Sequence, residues 1–258
     1  MTPSYRVEAL AKGLRLLSLF SAERPALAVK ELVDLTEIPM PTVFRLVATL
    51  EEEHYLERTP DGRVRPGTAV LALGFTAMRG LDLVQISSSV IRSLAAATGE
   101  TVNLGVLTND QVLFVARIQR RNSVLAADLR IGSTVPAVFS SIGKVILAHL
   151  PADEFDRRIS ERSFEGRWGP NAVRTLVELR RQLQNARRDG YLVQHDEAIP
   201  GLSSIAAPVW QADDSIAAGV NIAVPSAEYS TSELVERFLP PLLDSTHEIS
   251  TRLGGRPA

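Results

Sequence analysis

The chain has 258 residues, of which 45% are hydrophobic and 22% charged, and its formal net charge is −2. This composition is typical of a folded globular protein with one large or two modest domains. Cysteine is absent, which excludes disulfides and thiolate metal sites. We expect a cytoplasmic protein, because no export signal and no membrane-spanning apolar segment is visible in the sequence.

The first part of the chain predicts three helices followed by a small hairpin. Apolar residues at helical spacing indicate helices over about 6–21 and 29–35. A turn leads into a third helix, which begins at the prolines of 39–41 and has an apolar face of Val43, Leu46, Val47 and Leu50. The segments 55–58 and 63–65 flank a Pro-Asp-Gly turn and predict a β-hairpin. This order is that of a winged helix-turn-helix.

Such a unit would bind duplex DNA through its third helix and its hairpin. Polar and aromatic side chains at the start of the helix suit base edges in the major groove, and hairpin arginines suit phosphates. Acidic and basic residues nearly balance within 1–66, so the arginines must share one face, with Glu51 to Glu53 pointing elsewhere. Packing of Phe44 into the core is an equal alternative. The predicted DNA-contacting residues are Thr42, Phe44, Arg45, Thr49, Arg58, Arg63 and Arg65.

A helix over 67–80 is apolar on most of its surface. Its large side chains are Val70, Leu71, Leu73, Phe75 and Met78. Because one domain cannot cover all sides of such a helix, we expect a second copy of the chain to bury it. The predicted assembly is a homodimer or a dimer of dimers.

The remainder of the chain predicts an α+β domain. It has several strands with flanking helices and no strict βαβ repeat. The predicted strands are 101–107, 112–118, 124–127, 191–193, 204–210 and 215–224, and the predicted helices are 83–98, 140–150, 153–160, 173–188 and 232–252.

These patterns, taken with specific residues, resemble the IclR family of bacterial transcriptional regulators. The resemblance covers almost the whole chain. It rests on Pro39, Thr42-Val43, Arg45-Leu46, Thr49-Leu50, Tyr55, Gly132-Ser133, Pro136-Ala137, Gly143-Lys144, Leu147-Ala148, Gly190-Tyr191, Glu197, Gly201, Ile205-Ala206-Ala207-Pro208 and Pro225. Val115-Ala116-Arg117 and Ile131-Gly132-Ser133 are most similar to the branch that regulates aromatic-acid catabolism by the β-ketoadipate route.

The resemblance implies a ligand-responsive regulator found with the nucleoid. It implies a winged helix-turn-helix at 1–66, a linker and dimerisation helix at 67–80 and a GAF-like effector domain at 81–258. The implied effector residues are Val135, Ser141, Ile142, Gln194, Leu202, Ser204, Asn221 and Ala223. We expect a small carboxylic acid, either an aromatic acid or a catabolite of one, with its carboxylate held by the N–H groups of Ser141 to Gly143 at a helix N-terminus.

Several positions depart from the family pattern. Glu37 stands where a glycine is usual, so either a left-handed backbone there is strained or the turn differs, and His54 also replaces a glycine. Met40-Pro41 replaces a basic residue followed by serine, Thr134 replaces an arginine, and Gln194 replaces an acidic residue.

An enzyme is the main alternative. Ser204, His195 and Asp196 are the residue types of a hydrolase triad, but no Gly-x-Ser-x-Gly elbow accompanies them. The sequence also lacks a phosphate loop and a Gly-x-Gly-x-x-Gly motif, and its histidines form no metal-ligand motif, so we expect no cofactor.

Overall fold

We describe the protein from a computed structural model that covers residues 5–21, 24–79, 82–120 and 129–255. The chain divides into two compact units, 1–80 and 81–258. The predicted strand at 124–127 lies outside the described residues. Among these residues, no helix combines the length and the apolar character needed to cross a bilayer.

The first unit has the predicted order of helices and hairpin. Its elements are α1 (Glu8–Leu17), α2 (Val29–Thr36), α3 (Met40–Glu52), β1 (Leu56–Arg58), β2 (Val64–Pro66) and α4 (Thr68–Arg79). Strands β1 and β2 are antiparallel. Leu27 extends this hairpin, because its N–H donates to the Val64 carbonyl at 2.9 Å and its own carbonyl accepts from Val64 at 2.8 Å. The core of the unit contains Leu16, Leu27, Leu32, Ile38, Val43, Val47, Leu56 and Val64.

Two residues other than glycine have a left-handed backbone among the described residues of this unit. Glu37 ends α2 with φ 58°, and its N–H donates to the Val33 carbonyl at 2.9 Å. His54 follows α3 with φ 61°. Both positions therefore keep the conformation that glycine adopts freely, at a cost of about 1–2 kcal/mol each.

The second unit is an α+β domain, as predicted. Its six-stranded antiparallel sheet has the order β5-β4-β3-β8-β7-β6. The strands are β3 (Thr101–Thr108), β4 (Gln111–Ile118), β5 (Thr134–Pro136), β6 (Leu192–His195), β7 (Leu202–Trp210) and β8 (Ile216–Pro225). The helices are α5 (Asp82–Thr98), α6 (Ser141–Leu147), α7 (Ala152–Arg158), α8 (Leu176–Asp189) and α9 (Thr231–Arg252). Strand β5 was not predicted, because three residues are too few to show an alternating pattern.

Each face of this sheet is covered by helices. One apolar cluster joins α5 and α9 to side chains such as Leu104, Ile205 and Val220. A second cluster joins α6, α7 and α8 to side chains that include Val112 and Phe114. That the second unit is GAF-like remains a prediction.

Helix α6 lies unusually close to its neighbours. A Cβ on Gly143 would come within 2.2 Å of the Ala137 carbonyl oxygen, and a Cβ on Gly219 within 3.0 Å of Ile142 Cγ2. The Ser140 hydroxyl caps α6 by accepting from the Gly143 N–H at 3.3 Å. Glycine at these positions thus lets the helix contact the sheet directly.

A buried ion pair ties α6 to the segment after β6. The Lys144 side chain is fully buried, and its ammonium group donates to Glu197 and, at 2.5 Å, to Gln182 Oε1. Burial lowers the pKa of Lys144, and the Glu197 carboxylate opposes that change by favouring the charged form. Glu197 is followed by Ala198 and Ile199, so the pair fixes the start of a loop that returns to β7.

We expect Lys144→Met to lower the free energy of unfolding by about 3–5 kcal/mol, because it leaves the Glu197 carboxylate buried without a counter-ion. Urea unfolding followed by tryptophan fluorescence measures this loss, since Trp168 and Trp210, the chain's two tryptophans, are both in the second unit. The double variant Lys144→Met, Glu197→Met is the control and should regain most of the stability. Equal losses in the single and double variants would contradict the pairing.

Candidate functional site

The exposed side of α3 carries the residues predicted to contact DNA. Phe44 is 52% exposed, whereas Val43 and Val47 on the opposite side are 0% and 1% exposed. Core packing of Phe44, the alternative raised by the sequence, is therefore wrong. Arg45 and Thr49 are also exposed, and the Thr49 hydroxyl donates to the Arg45 carbonyl at 3.0 Å. Thr42 is half-buried. The helix thus presents an aromatic side chain and a guanidinium group to solvent.

The hairpin arginines are held by carboxylates of the same unit. Arg58 donates to both oxygens of Glu51 at 2.9 Å, and Arg65 donates to Glu57 at 2.7 Å. The expectation that Glu51 points away from the arginines is therefore wrong. Its position at the end of α3 places it opposite β1, which the charge balance alone did not indicate.

Arg63 differs from the other two hairpin arginines. Its Nη2 donates to the Ala26 carbonyl and to Glu31 Oε2, both at 2.9 Å. It therefore connects the hairpin to the segment before α2 as well as carrying charge.

An apolar groove runs along α1 and α3 in the first unit. Its lining includes Leu10, Leu14, Leu46, Leu50 and Leu73. On α4, Leu71 is 60% exposed and Leu73 is 56% exposed, as expected for a helix that its own domain leaves uncovered. Val70 is half-buried, and the side chains of Phe75 and Met78 lie outside the described part of the chain.

The second unit contains a cavity between one face of the sheet, the start of α6 and the loop after β6. Its volume is about 40 Å³, and the space counted together with its open mouth is about 550 Å³. Its apolar lining comes from Phe114, Leu129, Val135, Ala198, Ile199, Leu202 and Ala223.

Seven of the eight predicted effector residues line this cavity: Val135, Ser141, Gln194, Leu202, Ser204, Asn221 and Ala223. Ile142 is the exception and corrects the prediction. Its side chain is fully buried and faces Gly105 and Gly219 of the sheet. The close approach of α6 directs this residue into the core while Ser141 faces the cavity.

A chain of hydrogen bonds crosses the cavity wall. Arg117, Asn103 and Asn221 are direct neighbours on β4, β3 and β8. Arg117 Nη1 donates to Asn103 Oδ1 at 2.6 Å, and Asn103 Nδ2 donates to Asn221 Oδ1 at 2.7 Å. Ser141 Oγ then accepts from Asn221 Nδ2 at 3.1 Å and from Ser204 Oγ at 2.8 Å.

Arg117 is a cavity residue that the site prediction missed. It lines the cavity, and its Nε is buried without a hydrogen-bond partner among the described residues. These residues also offer it no carboxylate within ion-pair distance, in contrast to Arg58, Arg63 and Arg65. Burial lowers the pKa of Arg117, but an arginine remains charged at neutral pH. Its position opposite Asn103 was the signal that could have identified it, since cross-strand neighbours share a face.

The N–H groups at the start of α6 are less available to a carboxylate than predicted. The Gly143 N–H is already bonded to Ser140 Oγ, and the Cα of Gly143 faces the backbone of Ala137. The Gly143 N–H is therefore occupied, and a carboxylate at the N–H groups of Ser141 to Gly143 stays a prediction. The cation that borders the cavity is Arg117.

The residues of the alternative hydrolase triad do not form one. His195 Nδ1 is 2.6 Å from Ser203 Oγ, and its Nε2 is 2.8 Å from Thr231 Oγ1. Ser204 instead bonds to Ser141, and Asp196 accepts from the Gly201 N–H at 2.6 Å. Because Ser204 and Asp196 have other partners, the base lacks both its nucleophile and its orienting carboxylate.

Two family descriptions match this chain. Residues 9–60 match the IclR helix-turn-helix domain, and residues 75–251 match the C-terminal region of bacterial transcriptional regulators of the IclR type. The first match contains α3, and the second contains every residue that lines the cavity.

Relatives and solved structures agree with these matches. The Pca regulon regulatory protein of Pseudomonas putida is 28% identical over 95% of this chain and 84% of its own length. The transcriptional repressor AllR of Klebsiella pneumoniae is 26% identical over 97% of this chain and 91% of its own length.

An IclR homologue from Microbacterium hydrocarbonoxydans, solved in complex with 4-hydroxybenzoate, is 26% identical. It has a TM-score of 0.76 and covers 95% of this chain and 98% of its own. The relatives are named regulators and repressors, and the matched domains are those of regulators, so the protein is not an enzyme. The chain belongs to the IclR family of bacterial transcriptional regulators, with a DNA-binding helix-turn-helix domain followed by an effector domain.

Proposed function

We propose that the protein controls catabolic genes in response to a small aromatic carboxylic acid, which binds in the cavity of the second unit. Arg117 is the observation that supports this proposal. Its Nε has no hydrogen-bond partner among the described residues, and a carboxylate with an apolar body would supply one beside an apolar lining. Leaving a buried donor without a partner costs free energy, so an anion that pairs with it gains affinity.

The names of two relatives support the choice of ligand class. One relative is the Pca regulon regulatory protein, and another was solved with 4-hydroxybenzoate, which is an aromatic carboxylate. The apolar lining includes Phe114, whose ring offers a surface for an aromatic ligand.

In the proposed complex with DNA, α3 contacts bases and the hairpin contacts phosphates. Thr42, Phe44, Arg45 and Thr49 would face the major groove, and Arg58, Arg63 and Arg65 would approach the backbone. The protein would bind as a homodimer or a dimer of dimers, in which a second copy of the chain covers the exposed apolar side chains of α4. The effector would shift the arrangement of the two DNA-binding units only to the extent that it binds one arrangement more tightly.

We expect Arg45→Ala to weaken binding to a specific operator by about 1–3 kcal/mol, because a bidentate base contact is lost. Operator duplexes are obtained by selecting, from a random DNA library, those that the wild-type protein binds. The two half-sites in such a duplex should lie about 34 Å apart or a multiple of that spacing. Arg181→Ala, which removes an exposed arginine of α8, is the matched control. If Arg45→Ala binds the operator as tightly as the wild type does, α3 is not the helix that recognises the bases.

We expect Leu71→Asp to give monomers that no longer bind the selected operator, because a charge cannot be buried between two copies of α4. Sedimentation at micromolar concentration measures the assembly. Val177→Asp is the control, since Val177 is 78% exposed on α8 and lies outside the proposed interface. A stable wild-type monomer under the same conditions would contradict the proposed dimer.

We expect Arg117→Met to weaken binding of aromatic acids by about 10–100-fold, because a charged hydrogen bond is lost. Isothermal titration measures the affinity, and operator binding should be unchanged in the absence of acid. Arg120→Met is the control, because Arg120 pairs with Glu100 and Glu228 and does not line the cavity. If Arg117→Met binds the acids like wild type, the carboxylate lies elsewhere.

A further inference from the structure

The start of α3 exposes apolar side chains to solvent. Phe44 is 52% exposed and Met40 is 38% exposed. Because they are four residues apart, their side chains are neighbours on one side of the helix. Pro41 and Ala48 are exposed as well. Arg45 is the only basic residue of the helix, so most of this exposed surface cannot pair with a phosphate.

Packing within the first unit does not account for this apolar surface. The described residues of the unit leave Met40 and Phe44 accessible, while Val43 and Val47 provide the buried side of α3. Neither Met40 nor Phe44 lines the apolar groove along α1 and α3. Large apolar side chains that are exposed next to each other mark a binding surface, whereas scattered ones need no explanation.

The helix-turn-helix match identifies the molecule that meets this surface. Residues 9–60, which include α3, match that domain. In this motif the first turns of the second helix face base edges in the major groove. The base pairs present hydrogen-bonding groups there, and the one apolar group among them is the methyl group on C5 of thymine. Apolar side chains at the start of α3 therefore suit thymine.

We propose that Phe44, with Met40 beside it, recognises the methyl groups of thymines in the operator. This inference rests on the proposed binding of α3 to bases and names the base that the helix selects. Contact between the phenyl ring and the methyl group removes both from water, so affinity falls when either of them is absent. Phe44 is thus a determinant of the operator sequence, in addition to Arg45.

Replacing thymine with deoxyuridine tests the methyl group alone, because the pairing with adenine and the hydrogen-bonding groups are kept. The duplexes are operators selected by the full-length wild-type protein. Each thymine is replaced in turn, at the symmetry-related positions of both half-sites, and fluorescence anisotropy measures the affinity. At least one replacement should weaken wild-type binding about tenfold, because a methyl contact is lost in each half-site. Replacement of thymines outside the half-sites is the DNA control and should have no effect.

Combining a change in the protein with the change in the DNA assigns the methyl group to Phe44. In Phe44→Ala the same replacement should alter affinity by about twofold or less, because the ring that contacts the methyl group is absent. Met40→Ala should give an intermediate loss. Arg45→Ala should bind both duplexes more weakly but keep the wild-type ratio between them. Leu35→Ala, which removes a side chain that is 46% exposed on α2, is the matched control and should also keep that ratio.

The outcomes separate this inference from the proposed function. If no replacement weakens wild-type binding by more than about twofold, methyl recognition is overturned, while base contact by Arg45 stands. If Phe44→Ala shows the full wild-type loss, the methyl group acts through DNA shape or another residue, and the inference is wrong. If the wild-type protein selects no operator, the proposed recognition of DNA and the recognition of thymine both fail.

Discussion

The close packing of α6 against the sheet is the contact on which the rest of the effector domain depends. Gly143 lies where any side chain would overlap the backbone at Ala137, and Gly219 leaves room for Ile142. This approach brings the Ser141 hydroxyl within hydrogen-bonding distance of side chains on β7 and β8. It also buries Lys144, which can be tolerated only because Glu197 and Gln182 meet its ammonium group. One helix thus connects the sheet, the cavity and the loop that borders it.

The electrostatics of the cavity differ from those of the hairpin in the first unit. Arg58 and Arg65 have carboxylate partners at the protein surface, where such pairs contribute little to stability. Arg117 is partly withdrawn from water and is bonded to a neutral amide, so its charge remains uncompensated by the described residues. In the lower dielectric of the cavity, this charge attracts an anion more strongly than a surface arginine does.

Hydrophobic periodicity predicted most of the fold, because helices such as α3 and α8 need one continuous apolar face. It could not predict β5, whose three residues join the sheet through register with β4. The resemblance placed most of the cavity residues but included Ile142, because sequence adjacency to Ser141 does not show which side chain faces the sheet. Arg117 was noted only as part of a motif. Its role depends on cross-strand register, which a single sequence does not contain.

The carboxylate partners of the hairpin arginines also affect how the protein would search a genome. In the proposed complex, a phosphate that binds Arg58 or Arg65 must replace Glu51 or Glu57, and the displaced carboxylate then lies near the DNA backbone. The electrostatic gain per contact is therefore smaller than for an unpaired arginine, and affinity for arbitrary sequences is correspondingly low. Because a genome offers an enormous excess of non-operator sites, weak background binding leaves more protein free to occupy its operator.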